Sequence, residues 1–93
     1  MHIDQIEIVL VNISDSLKAA LEADKQGQWN KAHDIVSSIN HPLAFQIHAY
    51  LHRKEGDFDN ALFWYGKAGV KAYNGSLTDE LLHLETIITK LQK

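Results

Sequence analysis

His48 and His52 stand four residues apart, a separation that places two imidazoles on one face of a helix, one turn from each other. That is the spacing of a two-histidine metal site. Glu55 falls one turn further on, where it would serve as a third ligand, and Asp57 lies where it would orient a ligating ring from behind. The cofactor such a pair would take is a divalent transition metal. A buried neutral imidazole beside a carboxylate would also suit a general base. Against both uses, the zinc-protease pattern requires glutamate directly after its first histidine, where this chain has Ala49, and no third histidine lies at ligand spacing. The competing reading is structural and needs no cofactor. In it the two rings fill semi-polar space and bridge helices through bonds to backbone carbonyls, Asn60 or Tyr65. The leading expectation is this structural use, with the metal or small-ligand pocket as the alternative.

Pro42 suits the first turn of the helix that would carry the pair, running to Glu55. At about 100° per residue, Phe45 and Ala49 flank one side of the histidines, and Ala44, Ile47 and Leu51 the other. The pair is therefore predicted to be buried. Gln46, Arg53 and Lys54 fall outside that apolar arc and, with Tyr50, are expected to form a polar binding side. Of the remaining histidines, His41 precedes Pro42 in a turn, and His2, His33 and His83 read as surface residues. Asp57 follows a glycine and precedes an aromatic, so it is predicted to cap the next helix, with Asn60 reaching back to it. Arg53 is placed to pair with Asp57, an exposed contact contributing about 0–1 kcal/mol.

The frame around these residues is small. The chain has 93 residues, with nine basic against twelve acidic side chains for a net charge of −3. One domain spanning residues 1–93 fits that length, burying roughly 60–65% of the surface of the unfolded chain. With no cysteine, disulfides, thiol nucleophiles and cysteine-ligated metal are excluded, and the composition fits a reducing compartment. A mildly acidic balance argues against a nucleic-acid or anionic-membrane partner. Met1-His2-Ile3-Asp4-Gln5 lacks the features of a secretory signal, and the apolar stretch from Ile3 to Ile13 is too short to span a bilayer. The expectation is a soluble cytoplasmic protein.

Gly27, Pro42, Gly56 and Gly75 divide the chain into segments of helix length. Ile3, Ile6, Leu10, Ile13, Leu17 and Ala20 form one stripe; Leu77, Leu81, Leu84, Ile88 and Leu91 form another, with Ser76 and Thr78 as caps and Asp79 and Glu80 at the positive end of the dipole. The β-branched run from Ile6 to Val11 would suit a strand, but nothing else in the sequence would pair with it, so it reads as helix, with Asn12 and Ser14 as places where that helix would break. A shift of 29 residues brings Ala20 onto Ala49, Lys25 onto Lys54, Gly27 onto Gly56, Trp29 onto Phe58 and Ala32 onto Ala61. Each copy predicts a helix, a glycine turn, and a second helix whose aromatic plugs the gap between the two while its alanine permits close approach.

The segment from Gly56-Asp57-Phe58 through Asn60-Ala61-Leu62-Phe63-Trp64-Tyr65 to Ala68 resembles the turn and second helix of a tetratricopeptide repeat, and Gly27-Gln28-Trp29-Asn30-Lys31-Ala32 is a second, partial match. The resemblance implies an all-α fold of about five helices. Its antiparallel pairs, over residues 13–41 and 42–72, would form a right-handed stack, closed by a C-terminal helix over 77–92. The repeat here is 29 residues rather than 34, and the two copies imply the fold without a standard peptide groove. The run His48-Ala49-Tyr50-Leu51-His52-Arg53, continuing through Glu55-Gly56-Asp57 and Asn60-Ala61 to Trp64-Tyr65, is also similar to a group of short bacterial proteins; that likeness implies the fold and no activity.

Apolar surplus remains. Tyr65 shares a face with Phe58, Ala61, Leu62 and Ala68 and is expected in the core of its pair. Phe63 and Trp64 point elsewhere, and only one of them is easily covered by Leu77, Leu81 and Leu84 of the closing helix. Ile8, Val9 and Val11 add apolar surface to the first helix, which is either sandwiched between its neighbours or a dimer seam. The leading functional expectation is a small non-catalytic interaction module, binding a protein or a second copy of itself through Phe63, Trp64 and the Tyr50, Arg53, Lys54 side. The alternative is a pocket on His48 and His52 with Glu55, Asp57 and Asn60 around it.

Overall fold

The computed structural model describes the backbone of residues 5–91 and the side chains of residues 12–91. The fold is all-α, with five described helices: α1 (Gln5–Lys25), α2 (Trp29–Ser37), α3 (Pro42–Lys54), α4 (Phe58–Ala68) and α5 (Leu77–Leu91). The β-branched run is helical, and α1 continues through Asn12 and Ser14 without a break. The side chains of His2, Ile8, Val9 and Val11 lie outside the described residues, as does the start of the first apolar stripe.

The 29-residue repeat is visible in the backbone hydrogen bonds. At the end of α1, Gln28 N–H donates to Ala23 O and Gly27 N–H to Asp24 O; 29 residues later, Asp57 N–H donates to His52 O and Gly56 N–H to Arg53 O. Gly27 and Gly56 adopt φ of +78° and +85°, a left-handed conformation that costs a residue with a Cβ about 1–2 kcal/mol. Each turn folds one helix back on the last, giving two hairpins, α1–α2 and α3–α4, with α2 packed on α3. Asp57 caps α4, accepting from Asn60 N–H at 3.4 Å. His41 caps α3 through Nδ1, which accepts from Leu43 N–H at 3.1 Å, and Ser76 Oγ accepts from Asp79 N–H at the start of α5.

The main core joins Leu17, Ala20 and Leu21 of α1, Ala32 and Val36 of α2, Ile47 and Leu51 of α3, and Leu84 and Ile88 of α5. The closing helix runs along α1 and α3, not along α4. This corrects the expectation that Leu77, Leu81 and Leu84 shelter Phe63 or Trp64. It also sandwiches α1 between α2 and α5. No described helix is long and apolar enough to cross a membrane.

Two carboxylates are sunk into this core, and each is held by one tyrosine and one basic side chain of the second hairpin. Asp24 accepts from Tyr50 Oη and from Lys54 Nζ, both at 2.9 Å. Glu80 accepts from Arg53 Nη1 at 2.9 Å and from Tyr65 Oη. Burial, reinforced by the bonded carboxylate, raises both phenols above their ordinary value. Two expectations are corrected here. Tyr50 is buried, with 2% of its surface exposed, and so is not part of a binding side. Arg53 pairs with Glu80 and Gly75 O rather than with Asp57, because α5 brings a buried carboxylate within its reach.

Candidate functional site

α3 carries His48 and His52 into the interior, where both are buried. The apolar arc containing them faces α2 on one side and α4 on the other. From α2 comes His33, one turn after Trp29. Trp29 is fixed by an indole N–H donated to Leu51 O at 2.8 Å, and its ring stacks on His33 at 4.9 Å with an interplanar angle of 11°. His33 is thereby set edge-on to both other imidazoles, with ring centroids 4.5 Å from His48 and 5.1 Å from His52. The α3 pair itself is stacked at 5.0 Å. His33 is half-buried in a three-histidine group, which corrects its reading as a surface residue. Its partners sit 15 and 19 positions along the chain, a distance at which ligand spacing within one helix gives no signal; only the packing of α2 on α3 brings them together.

The fourth wall comes from α4. Trp64 lies flat on His48, with centroids 3.8 Å apart and planes within 11°. Phe45 and Phe63 pack against the same indole, and Lys67 Nζ sits 4.9 Å from the Phe45 ring and 5.0 Å from the Trp64 ring, within cation–π range.

The two buried histidines differ in how they are satisfied. His52 Nδ1 meets Glu55 Oε1 at 2.6 Å. His48 Nδ1 is fully enclosed and has no hydrogen-bond partner, a state that costs a buried polar atom about 1–3 kcal/mol. Neither ring bonds Asn60 or Tyr65, whose polar atoms are engaged by Asp57 and Glu80. Burial first, and then the positive charge that His33, His52 and Lys67 present, pushes His48 down from 6.5 to about 4. The ring is therefore neutral at physiological pH, which keeps both nitrogen lone-pair chemistry and stacking intact. Ligand atoms of His33, His48 and His52 lie within 4.8 Å of one another, and so do those of a second set, His52, Glu55 and Asp57, in which the two carboxylates are exposed.

The second feature is on the outside. α4 packs on α3 alone, using Ala61 and Tyr65 against Ala49, with Trp64 beside them. Phe58 and Leu62 are consequently 63% and 57% exposed, which corrects their expected place in the hairpin core. The repeat explains the error. Trp29 is covered because another hairpin follows it, whereas its counterpart Phe58 has none beyond it. Phe63 is 60% exposed on the neighbouring side. Between Leu62 and Phe63 on the helical wheel sits Gly66, exposed, with no atom within 4 Å of where a Cβ would stand. Asp59 lies toward one end of this strip, and Lys67 and Lys71 toward the other. Sequence reading missed Gly66 as a docking element, since a lone glycine in a helix gives no hint of what surrounds it.

No protein-family model, no curated protein and no solved structure matches this chain.

Proposed function

We propose that the chain is a non-catalytic, tetratricopeptide-like interaction module whose docking face is the outer side of α4 and whose occupant is a second copy of itself. The observation that carries this reading is the exposed strip of Phe58, Leu62 and Phe63 around an open Gly66 on a helix packed from one side only. A contiguous apolar strip of this kind marks an interaction site. Glycine within a helix costs about 1 kcal/mol relative to alanine, and no intramolecular contact offsets that here. A facing helix would offset it, because the missing side chain lets a partner's bulky residue approach the backbone.

A second α4 fits by symmetry. In an antiparallel crossing about a two-fold axis between residues 63 and 66, Phe63 of each copy enters the gap at Gly66 of the other. The same operation sets Asp59 of each copy near the Lys67 and Lys71 end of its partner. The face is thus complementary to itself in shape and in charge. The cysteine-free composition suits this module to a reducing compartment such as the cytoplasm.

Analytical ultracentrifugation tests the reading. Wild-type protein is expected to sediment at twice its 10.5 kDa chain mass at micromolar concentration, and Phe63→Glu to sediment as a folded monomer. A wild-type chain that stays monomeric to high micromolar concentration, or a Phe63→Glu variant that dimerises like wild type, overturns it.

A further inference from the structure

We infer that His33, His48 and His52 form a binding site for one divalent late first-row transition ion, with Zn²⁺ the best-fitting member of that class. The inference is independent of dimerisation, since the three side chains belong to α2 and α3 and the docking face to α4.

The donor set defines the chemistry. Three imidazoles with no thiolate and no ligating carboxylate in the group favour Zn²⁺, Co²⁺, Ni²⁺ or Cu²⁺ over Mg²⁺ and Ca²⁺, which demand oxygen ligands. Three protein nitrogens and one water complete the tetrahedral arrangement common for zinc. The ligand atoms already lie within 4.8 Å of one another. Nitrogens about 2.0–2.1 Å from a shared ion stand roughly 3.4 Å apart, so small side-chain rotations close the remaining gap.

Two features indicate a site that is built rather than a chance cluster. First, His48 is 5% exposed and its Nδ1 has no partner within the protein; an ion would supply what this buried nitrogen lacks. Second, Glu55 holds His52 by Nδ1 at 2.6 Å. That leaves Nε2 as the ligating atom and reproduces the carboxylate–histidine–metal relay that orients ligands and raises their basicity. Stacking of Trp29 on His33 and of Trp64 on His48 restrains the ring planes from either side. Only the half-buried His33 side opens toward solvent, where an ion would enter and a water would sit.

Isothermal titration of the tag-free protein with ZnCl₂ tests the assignment, together with Co²⁺ absorption in the visible range as a report of tetrahedral nitrogen ligation. One ion per chain is expected. His33→Ala, at the most exposed of the three positions and checked for folding by circular dichroism, is expected to weaken binding at least tenfold and remove the Co²⁺ band. Glu55→Gln should weaken binding by about 10–100-fold while leaving one ion per chain. His83→Ala and Phe63→Glu should bind as wild type does, which separates this result from the fate of the dimer. Absence of a stoichiometric ion in the wild-type protein, or unchanged affinity in folded His33→Ala, overturns the assignment.

Discussion

His48 concentrates the physical tension of the molecule in one side chain: a polar ring sealed beneath Trp64, one nitrogen unbonded, facing His33 from α2, His52 on its own helix and Lys67 from α4. Its folded value of about 4 lies below the unfolded 6.5, so between those limits the unfolded chain binds a proton that the native core refuses. Stability contributed by His48 is therefore intact above pH 6.5, declines as pH falls, and levels off below about 4, for a total loss of about 3 kcal/mol. Urea unfolding of chelator-treated protein at a series of pH values should show this decline, and subtracting the profile of His48→Gln should isolate it from carboxylate protonation. A difference profile that is flat between pH 6.5 and 5 would remove the argument. The burial of His48 and His52 follows from their place on the apolar arc of α3, and was legible in the sequence. The membership of His33 was not, because it depends on how α2 rotates against α3, and Trp29, which sets that rotation, bonds a carbonyl 22 residues away. Tyr50 was misread for a related reason: its partner Asp24 is on α1 and becomes visible only when the hairpins pack.

At the scale of the helices, periodicity and punctuation were sufficient to place all five described elements, because glycine turns and apolar stripes are local signals. Exposure of a face is not local. Phe58 and Trp29 occupy equivalent repeat positions, yet one projects into solvent and the other fills an interhelical gap, since α5 crosses back over α1 and α3 and leaves α4 uncovered. Gly66 turns this difference into an experiment with opposed signs. No atom stands within 4 Å of its prospective Cβ and its φ is not left-handed, so Gly66→Ala should stabilise α4 in the monomer by about 1 kcal/mol. The same methyl group would fill the gap that admits Phe63 of the second copy. Chemical denaturation in the Phe63→Glu monomer background should register the gain, and sedimentation of Gly66→Ala alone should register a weaker dimer. If dimer affinity were unchanged or raised, α4 would not cross its partner at this glycine.

The whole molecule is small enough that each association it makes should appear directly in its stability. A dimer that forms only between folded chains raises the thermal midpoint as protein concentration rises, whereas an ion bound within one chain raises it according to free ion concentration alone. The two contributions can therefore be resolved in one set of melts. In the absence of metal, the wild-type midpoint should climb with protein concentration and that of Phe63→Glu should stay constant. At fixed protein concentration, zinc at one hundred times its dissociation constant should stabilise both proteins by about 2.7 kcal/mol, equivalent to roughly 10–20 °C for a domain of this size. His33→Ala should keep the concentration dependence and lose the response to zinc. This double dissociation follows from geometry: the imidazoles couple α2 to α3 inside the stack, the apolar strip lies on the far side of α4, and between them stands Trp64, stacked on His48 and in edge contact with Phe63. If zinc altered the concentration dependence itself, that indole would be the contact through which the two sites communicate, and substituting Trp64 with leucine should abolish the coupling while leaving each association in place.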